Sequence, residues 1–235
     1  MGDSPNLPCH NPLRTSGTVS AQEPTNILLE NQTQNQLSKR RTQSFYQQNA
    51  QSYFDETVEL DVSETRQRFL ELVTNGGSIL DLGCGSGRDS RKFLNLGYQV
   101  TPLDVSKALA SLANDYIGRE VVVQSFQTLN YHAEFDGIWA CASLLHCPKS
   151  EIYGVFKRVV NALKPGGAWY LSFKRGERER VDERGRFFND YSKTELSSLL
   201  ERFRELTIVE VWTEAKPLRG EEQAWVNALV KKRKD

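Results

Sequence analysis

The segment Ile79-Leu80-Asp81-Leu82-Gly83-Cys84-Gly85-Ser86-Gly87-Arg88-Asp89 places glycine at three alternate positions directly after a short apolar run. Glycine there tolerates positive φ and lets a ligand approach the backbone. The spacing decides against two phosphate binders. Counted from Gly83, the dinucleotide fingerprint G-x-G-x-x-G would end on Arg88, and the Gly-Lys-Ser/Thr of a P-loop is absent. Asp81 points the same way, because a carboxylate two residues before the turn repels pyrophosphate and suits a ligand carrying ammonium or sulfonium. Asp104 lies 21 residues beyond Gly83, the usual separation for an acid that accepts both ribose hydroxyls. Together the two acids describe a nucleoside with a cationic tail. Without a ligand, Gly83–Gly87 reads as a tight turn and Asp104 as a surface acid capping with Ser106.

The elements around the turn fix where it must sit. Helical periodicity runs through Phe45–Phe54 and Glu64–Val73, and Ser78–Leu82 is a short strand entering the turn. Helices then trade with strands: Ser86–Leu96, Tyr98–Leu103, Lys107–Tyr116, Val121–Gln124 and Phe135–Cys141. Ile152, Val155, Phe156, Val159, Val160 and Leu163 share one helix face, and Lys164-Pro165-Gly166-Gly167 stops it. Trp169–Lys174 resumes as a strand. After a charged loop, Ser192-Lys-Thr-Glu195 is a capping box opening a helix to Phe203. Thr207–Thr213 and Trp225–Lys231 close the chain as strands with no helix between them, so they pair antiparallel. This alternation predicts an α/β fold: a Rossmann-like, doubly wound sheet of seven strands, mostly parallel, with an antiparallel C-terminal pair. Ligands of such sheets bind beyond the carboxyl ends of the strands.

Composition removes other classes. The 235 residues carry 30 Lys+Arg and 30 Asp+Glu, and a hydrophobic share of 38% is enough to fill a core. No apolar run approaches the roughly 20 residues that cross a bilayer. Residues 1–43 have no aromatic residue and no burying period, which predicts a disordered tail ahead of a domain at 44–235 that proteolysis would trim to without loss. Removing that tail leaves the rest at a net −1, so no basic field is hidden by averaging. Cys9, Cys84, Cys141 and Cys147 include no Cys-x-x-Cys pair and read as reduced thiols, and the N-terminus lacks a secretory pattern, which together predict a cytoplasmic protein.

Ile79–Asp89 followed by Asp104 resembles the cofactor motif of class I S-adenosylmethionine-dependent methyltransferases, with a likeness that runs from about Phe45 to the C-terminus. The chain is most similar to small free-standing bacterial enzymes near the tellurite-resistance methyltransferases, through Phe45-Tyr-Gln-Gln-Asn-Ala-Gln-Ser-Tyr53, Gly85-Ser-Gly-Arg-Asp89 and Asp136-Gly-Ile-Trp-Ala-Cys-Ala-Ser-Leu-Leu-His146. The resemblance implies S-adenosyl-L-methionine as cofactor, with Asp81, Gly83, Cys84 and Gly85 around its methionine moiety. It also implies Asp104 on the ribose, Val105 against the adenine and Ala140 lining the methionine side. Many relatives offer the adenine amino group an acid after the third strand. Here the sequence reads Gln124-Ser125-Phe126, so that contact falls to backbone groups, Ser125 or Phe126.

The implied activity is methyl transfer to a small-molecule acceptor by in-line displacement, in which alignment does most of the work. His146, just after the fourth strand, is placed either to take an acceptor proton or to serve as a structural histidine. Tyr46 and Tyr53 share a helix face, either lidding the cofactor through cation–π contact or packing the core. The mixed-charge loop after the fifth strand holds Lys174, Arg186 and Phe188, which either clamp an anionic acceptor or sit as solvated charge. Two other readings stand beside this one. A tRNA or other nucleic-acid methyltransferase is disfavoured, since Ala140-Cys-Ala-Ser143 replaces the Asn/Asp-Pro-Pro-aromatic clamp and only Lys231-Lys-Arg-Lys234 suggests phosphate contact. The other is a non-catalytic cofactor-binding module.

Overall fold

The structure is a computed structural model that describes residues 1–2, 23–218 and 221–234, with side chains described from Asn35 to Ala215 and from 222 to 234. The chain divides between Gln34 and Asn35 into two units, and the second carries the features below. Its strands form one seven-stranded sheet in the order β3-β2-β1-β4-β5-β9-β8. Here β1 is Ser78–Leu82, β2 Gln99–Asp104, β3 Val122–Val123, β4 Phe135–Ala140 and β5 Leu163–Lys174. The last two are β8, Leu206–Leu218, and β9, Glu221–Lys232. β1 to β5 pair parallel, while β9 runs antiparallel to both β5 and β8, as the missing helix between them requires.

Alternation along the central strands feeds two cores. Leu80, Leu82, Ile138, Trp169 and Leu171 face α6 (Lys149–Ala162) and α7 (Lys193–Glu201), whose apolar stripes are buried. Ile79, Val100, Trp139 and Tyr170 face the other side, where Phe69 of α3 (Ser63–Leu70) and Phe93 of α4 (Arg88–Asn95) pack. Trp139 sits at its centre, 5.2 Å from Phe69, 5.7 Å from Phe93 and stacked at 4.2 Å on Tyr170. The Ser192/Glu195 capping box is formed with both reciprocal bonds.

Three expectations change. The helix α1 runs Glu23–Gln48, so the boundary at 44 falls inside an element, and the second unit reaches back to Asn35. Thr42 is buried and anchors this part of the helix: its hydroxyl accepts from the Phe187 N–H at 2.8 Å and donates to the Ser38 carbonyl at 3.0 Å. Residues 3–22 of the expected tail lie outside the described residues. A helix anchored by polar side chains leaves no apolar period, which is why composition alone read it as tail. Second, the helix expected over Phe45–Phe54 breaks at Asn49, and α2 covers Ala50–Thr57. Third, the charged loop after β5 contains a separate two-stranded sheet, β6 (Glu179–Val181) and β7 (Phe187–Asn189).

The Thr42 anchor makes a direct prediction. Thr42→Val keeps the shape but strands a buried Phe187 N–H, and urea unfolding is expected to show a loss of about 1–3 kcal/mol. An unchanged midpoint would mean that this end of α1 is not held there.

Candidate active site

β1 delivers Asp81 and the glycine turn, which α4 continues. Within the turn four backbone donors are already committed. Gly83 and Cys84 N–H both donate to the Leu103 carbonyl, at 2.8 and 2.9 Å, and Gly87 N–H donates to the Cys84 carbonyl. Gly85 N–H donates to Asp104 Oδ2 at 3.0 Å. The turn is thus tied to the end of β2. Gly83 has φ +80°, and a Cβ there would come within 2.5 Å of Ser143 Cβ, so the loop after β4 closes directly on the turn. Gly85, at φ +56°, faces only the Tyr53 ring within 4 Å of a built Cβ.

The two acids are both buried. Asp104 accepts from Ser106 N–H as well as Gly85 N–H, and desolvation raises its pKa against those backbone donors. Asp81 accepts from the Ser90 hydroxyl at 2.6 Å, and burial, together with the nearby Asp89 carboxylate, pushes its pKa up to about 7. Asp89 itself is enclosed by Arg66 Nη1 at 2.8 Å, Arg88 Nη2 at 2.6 Å and the Trp139 indole N–H at 3.0 Å. Two guanidiniums thus meet Asp89, where Asp81 has a single serine hydroxyl.

A cavity of about 550 Å³ opens over the turn. Of the expected residues it brings together Tyr46, Tyr53, Asp81, Gly83, Cys84 and Gly85 with His146 and with the acceptor-side Lys174, Arg186 and Phe188. Val105 and Ser125 line a second cavity of about 490 Å³ instead, beside Gln47 of α1, whose side chain accepts from Ala108 N–H at 3.2 Å. Phe126 lies beside Gly83. Ala140 is fully buried in the core with Leu80 and Ile138, and Cys141 and Ala142, which follow the end of β4, line the cavity.

Aromatic rings link the turn to the acceptor side. Tyr53, next to Gly85, meets Tyr46 edge-on at 5.0 Å, Tyr46 meets His146 at 5.3 Å, and His146 meets Phe188 at 4.9 Å. Lys174 Nζ lies 4.5 Å over the Phe188 ring, and Arg186, held by Asp182 at 2.7 Å, lies over Phe45 and Phe188. The His146 tautomer follows from its partners. Nδ1 sits 2.6 Å from the Phe187 carbonyl and must donate, so Nε2 accepts from the Tyr46 hydroxyl at 2.8 Å. Packing around the ring lowers the His146 pKa to about 4. Burial raises that of Tyr46 well above its ordinary value.

Two features escaped the sequence reading. Ala142 adopts φ +51°, held by its N–H donating to Ser172 Oγ at 2.8 Å. Beside it, Ser143 Oγ is buried with no hydrogen-bond partner among the described residues, directly against Gly83. An orphaned hydroxyl and two buried carboxyls beside the turn fit the ammonium, ribose and sulfonium of the expected cofactor. The only sequence signal was the small-residue run Ala140-Cys-Ala-Ser143 leaving β4.

Comparison with known proteins agrees. Residues 79–167 match a methyltransferase domain family. A ubiquinone biosynthesis O-methyltransferase of Xanthomonas euvesicatoria is 32% identical over 122 residues, 49% of this chain and 48% of that protein. The chain thus spans about half the length of the curated relative it matches. The crystal structure of Burkholderia thailandensis 1,6-didemethyltoxoflavin-N1-methyltransferase, with 1,6-didemethyltoxoflavin and S-adenosylhomocysteine bound, superposes with a TM-score of 0.65 at 20% identity, covering 93% of each chain. TehB from Haemophilus influenzae gives 0.64 at 15% identity over 77% of this chain and 66% of its own. The matched segment is thus similar to a methyltransferase domain, and it lies in a sheet whose fold is that of these solved methyltransferase structures.

Proposed function

We propose that this protein transfers a methyl group from S-adenosylmethionine to a small-molecule acceptor carrying an anionic group, bound at Lys174. The observation that carries the reading is the single cavity joining the glycine turn to Lys174, Arg186 and Phe188. The sulfonium of the cofactor supplies an already activated methyl group. What remains for the chain is to bind, align and keep water out. Asp81 receives the positive charge, Asp104 the ribose hydroxyls, and Val105 and Ser125 flank the adenine. Tyr53 and Tyr46 close over the turn. His146 does not take the acceptor proton directly, because Nε2 already accepts from Tyr46 and its pKa of about 4 makes it a weak base. Its role is to fix the Tyr46 hydroxyl. Among the described residues no helix is long and apolar enough to cross a membrane, and the thiols of Cys84, Cys141 and Cys147 are free, which suits a cytoplasmic setting.

Calorimetry with S-adenosylmethionine and S-adenosylhomocysteine tests the cofactor, and incubation of labelled cofactor with cell extract, with and without nuclease, tests the acceptor. Label entering a nuclease-resistant small molecule supports the reading. Label lost to nuclease moves the activity to RNA, and tight binding with no transfer leaves a cofactor-binding module.

The raised pKa of Asp81 gives this binding a pH signature. A cationic ligand favours the ionised carboxylate, so the bound pKa falls below the free value of about 7. Affinity is therefore level above pH 7 and declines below it, by at most about tenfold per unit, with a proton released on binding in that window. Calorimetry at pH 8 and pH 6 in buffers of different ionisation enthalpy reads both. Equal affinity at the two pH values would remove Asp81 from contact with the cation.

A further inference from the structure

The acceptor end of the cavity carries two hydrogen-bond donors side by side. Lys174 ends β5, and its partner in the antiparallel register with β9 is Trp225, so the two side chains leave the same face of the sheet, and both line the cavity. The ammonium has three N–H bonds to give and the indole Nε1 has one, and neither side chain can accept. Both residues are half-buried, and among the described residues neither donor meets a hydrogen-bond acceptor.

The charge beside this pair comes to one uncompensated cation. Lys174, Arg180 and Arg186 all lie against the Phe188 ring, at 4.5, 4.8 and 5.0 Å. Asp190 engages Arg180 at 2.6 Å and Asp182 engages Arg186 at 2.7 Å, whereas among the described residues no carboxylate lies within ion-pair distance of Lys174. Burial and the two neighbouring guanidiniums lower the Lys174 pKa, as expected of a cation that lacks a partner. Arg184 also reaches the cavity but is exposed, so solvent screens it. Glu214, one strand beyond Trp225, accepts from Asn227 Nδ2 at 3.2 Å.

We propose that Lys174 and Trp225 together receive a carboxylate of the acceptor, with one oxygen on the ammonium and the other on the indole N–H. The inference rests on the methyl-transfer reading above and names the substrate class for it, a singly charged carboxylic acid. The carboxylate is an anchor, since β5 lies two strand spacings, about 10 Å, from the β1 that carries the glycine turn, and the methylated atom is a separate one nearer the turn. A neutral acceptor would leave the Lys174 charge uncompensated. A phosphate ester would bring a second negative charge to a place where both guanidiniums are already paired.

Three probes of one shape separate these classes: para-toluate, the neutral para-toluamide, and para-tolyl phosphate, which is largely a dianion at about pH 7.5. Saturation-transfer NMR titrations at that pH, on the protein loaded with S-adenosylhomocysteine, read their affinities. Para-toluate is expected to bind at least about tenfold more tightly than the amide, and more tightly than the phosphate. Lys174→Met should bring toluate level with the amide. Trp225→Phe keeps a ring and removes the N–H, so it should weaken toluate about tenfold and the amide less, because the lost bond is to a charged oxygen only in toluate. No saturable binding of toluate, an amide or a phosphate that binds as tightly, a preference that survives Lys174→Met, or a Trp225→Phe protein that binds toluate as the wild type does would overturn the proposal. Calorimetry with S-adenosylhomocysteine on the same samples shows that each variant is folded and keeps the two readings apart. Normal titration without toluate preference removes only the carboxylate anchor, whereas a wild type that does not bind S-adenosylhomocysteine removes both.

Discussion

Asp104→Ala is expected to weaken S-adenosylhomocysteine binding about a hundredfold, close to 3 kcal/mol by calorimetry. Two losses combine. The ribose hydroxyls lose a carboxylate acceptor, and the N–H groups of Gly85 and Ser106 lose the partner that holds the turn against β2. Asp104→Asn separates the two, since it keeps one carbonyl oxygen and removes the charge. It should fall between wild type and alanine, at about tenfold, because hydrogen bonds to a charged group are roughly twice as strong as neutral ones. Equal titration of wild type and Asp104→Ala would place the nucleoside elsewhere and take the site with it.

Asp89→Ala is expected to be the most destabilising single change near the site, at about 4 kcal/mol, on the order of 10 °C in Tm. The side chains of Asp89, Arg66 and Arg88 are 6%, 11% and 14% exposed. Removing the carboxylate leaves two enclosed guanidiniums facing each other and strands the Trp139 indole N–H. It also unties α3 from α4, since Arg66 reaches Asp89 from the neighbouring helix. Thermal and urea unfolding read the loss directly. A change under about 1 kcal/mol would mean that both arginines reach solvent and that the trio behaves as a surface network.

Much of this was legible in the residues. The α6 stripe, the Ser192 capping box and the strand before Gly83 each carry a local signal, and the fold follows from their alternation. The two acids were legible because charge and spacing are one-dimensional. That Ala140 is buried while Cys141 and Ala142 line the cavity was not legible, since which residues at a strand's end face a cavity depends on sheet twist and on the helices that cover each face. Ser143 carried no signal beyond the small-residue run it ends, because a buried hydroxyl without a partner among the described residues exists only after the loop that follows β4 closes on the turn. The β6–β7 pair was masked by its own charges, which alternate in sign and hide the extended backbone beneath.

The small hairpin has a further consequence. Its strands pair only with each other; Glu179, Val181, Glu183 and Arg184 are exposed, whereas Asp182 and Arg186 face the cavity and Phe188 and Asn189 at its root are buried. The seven-stranded scaffold can therefore tolerate rewriting of those four exposed positions at small cost to folding. A designer has a natural cassette there, one whose exchange alters the rim of the chamber while its floor stays fixed.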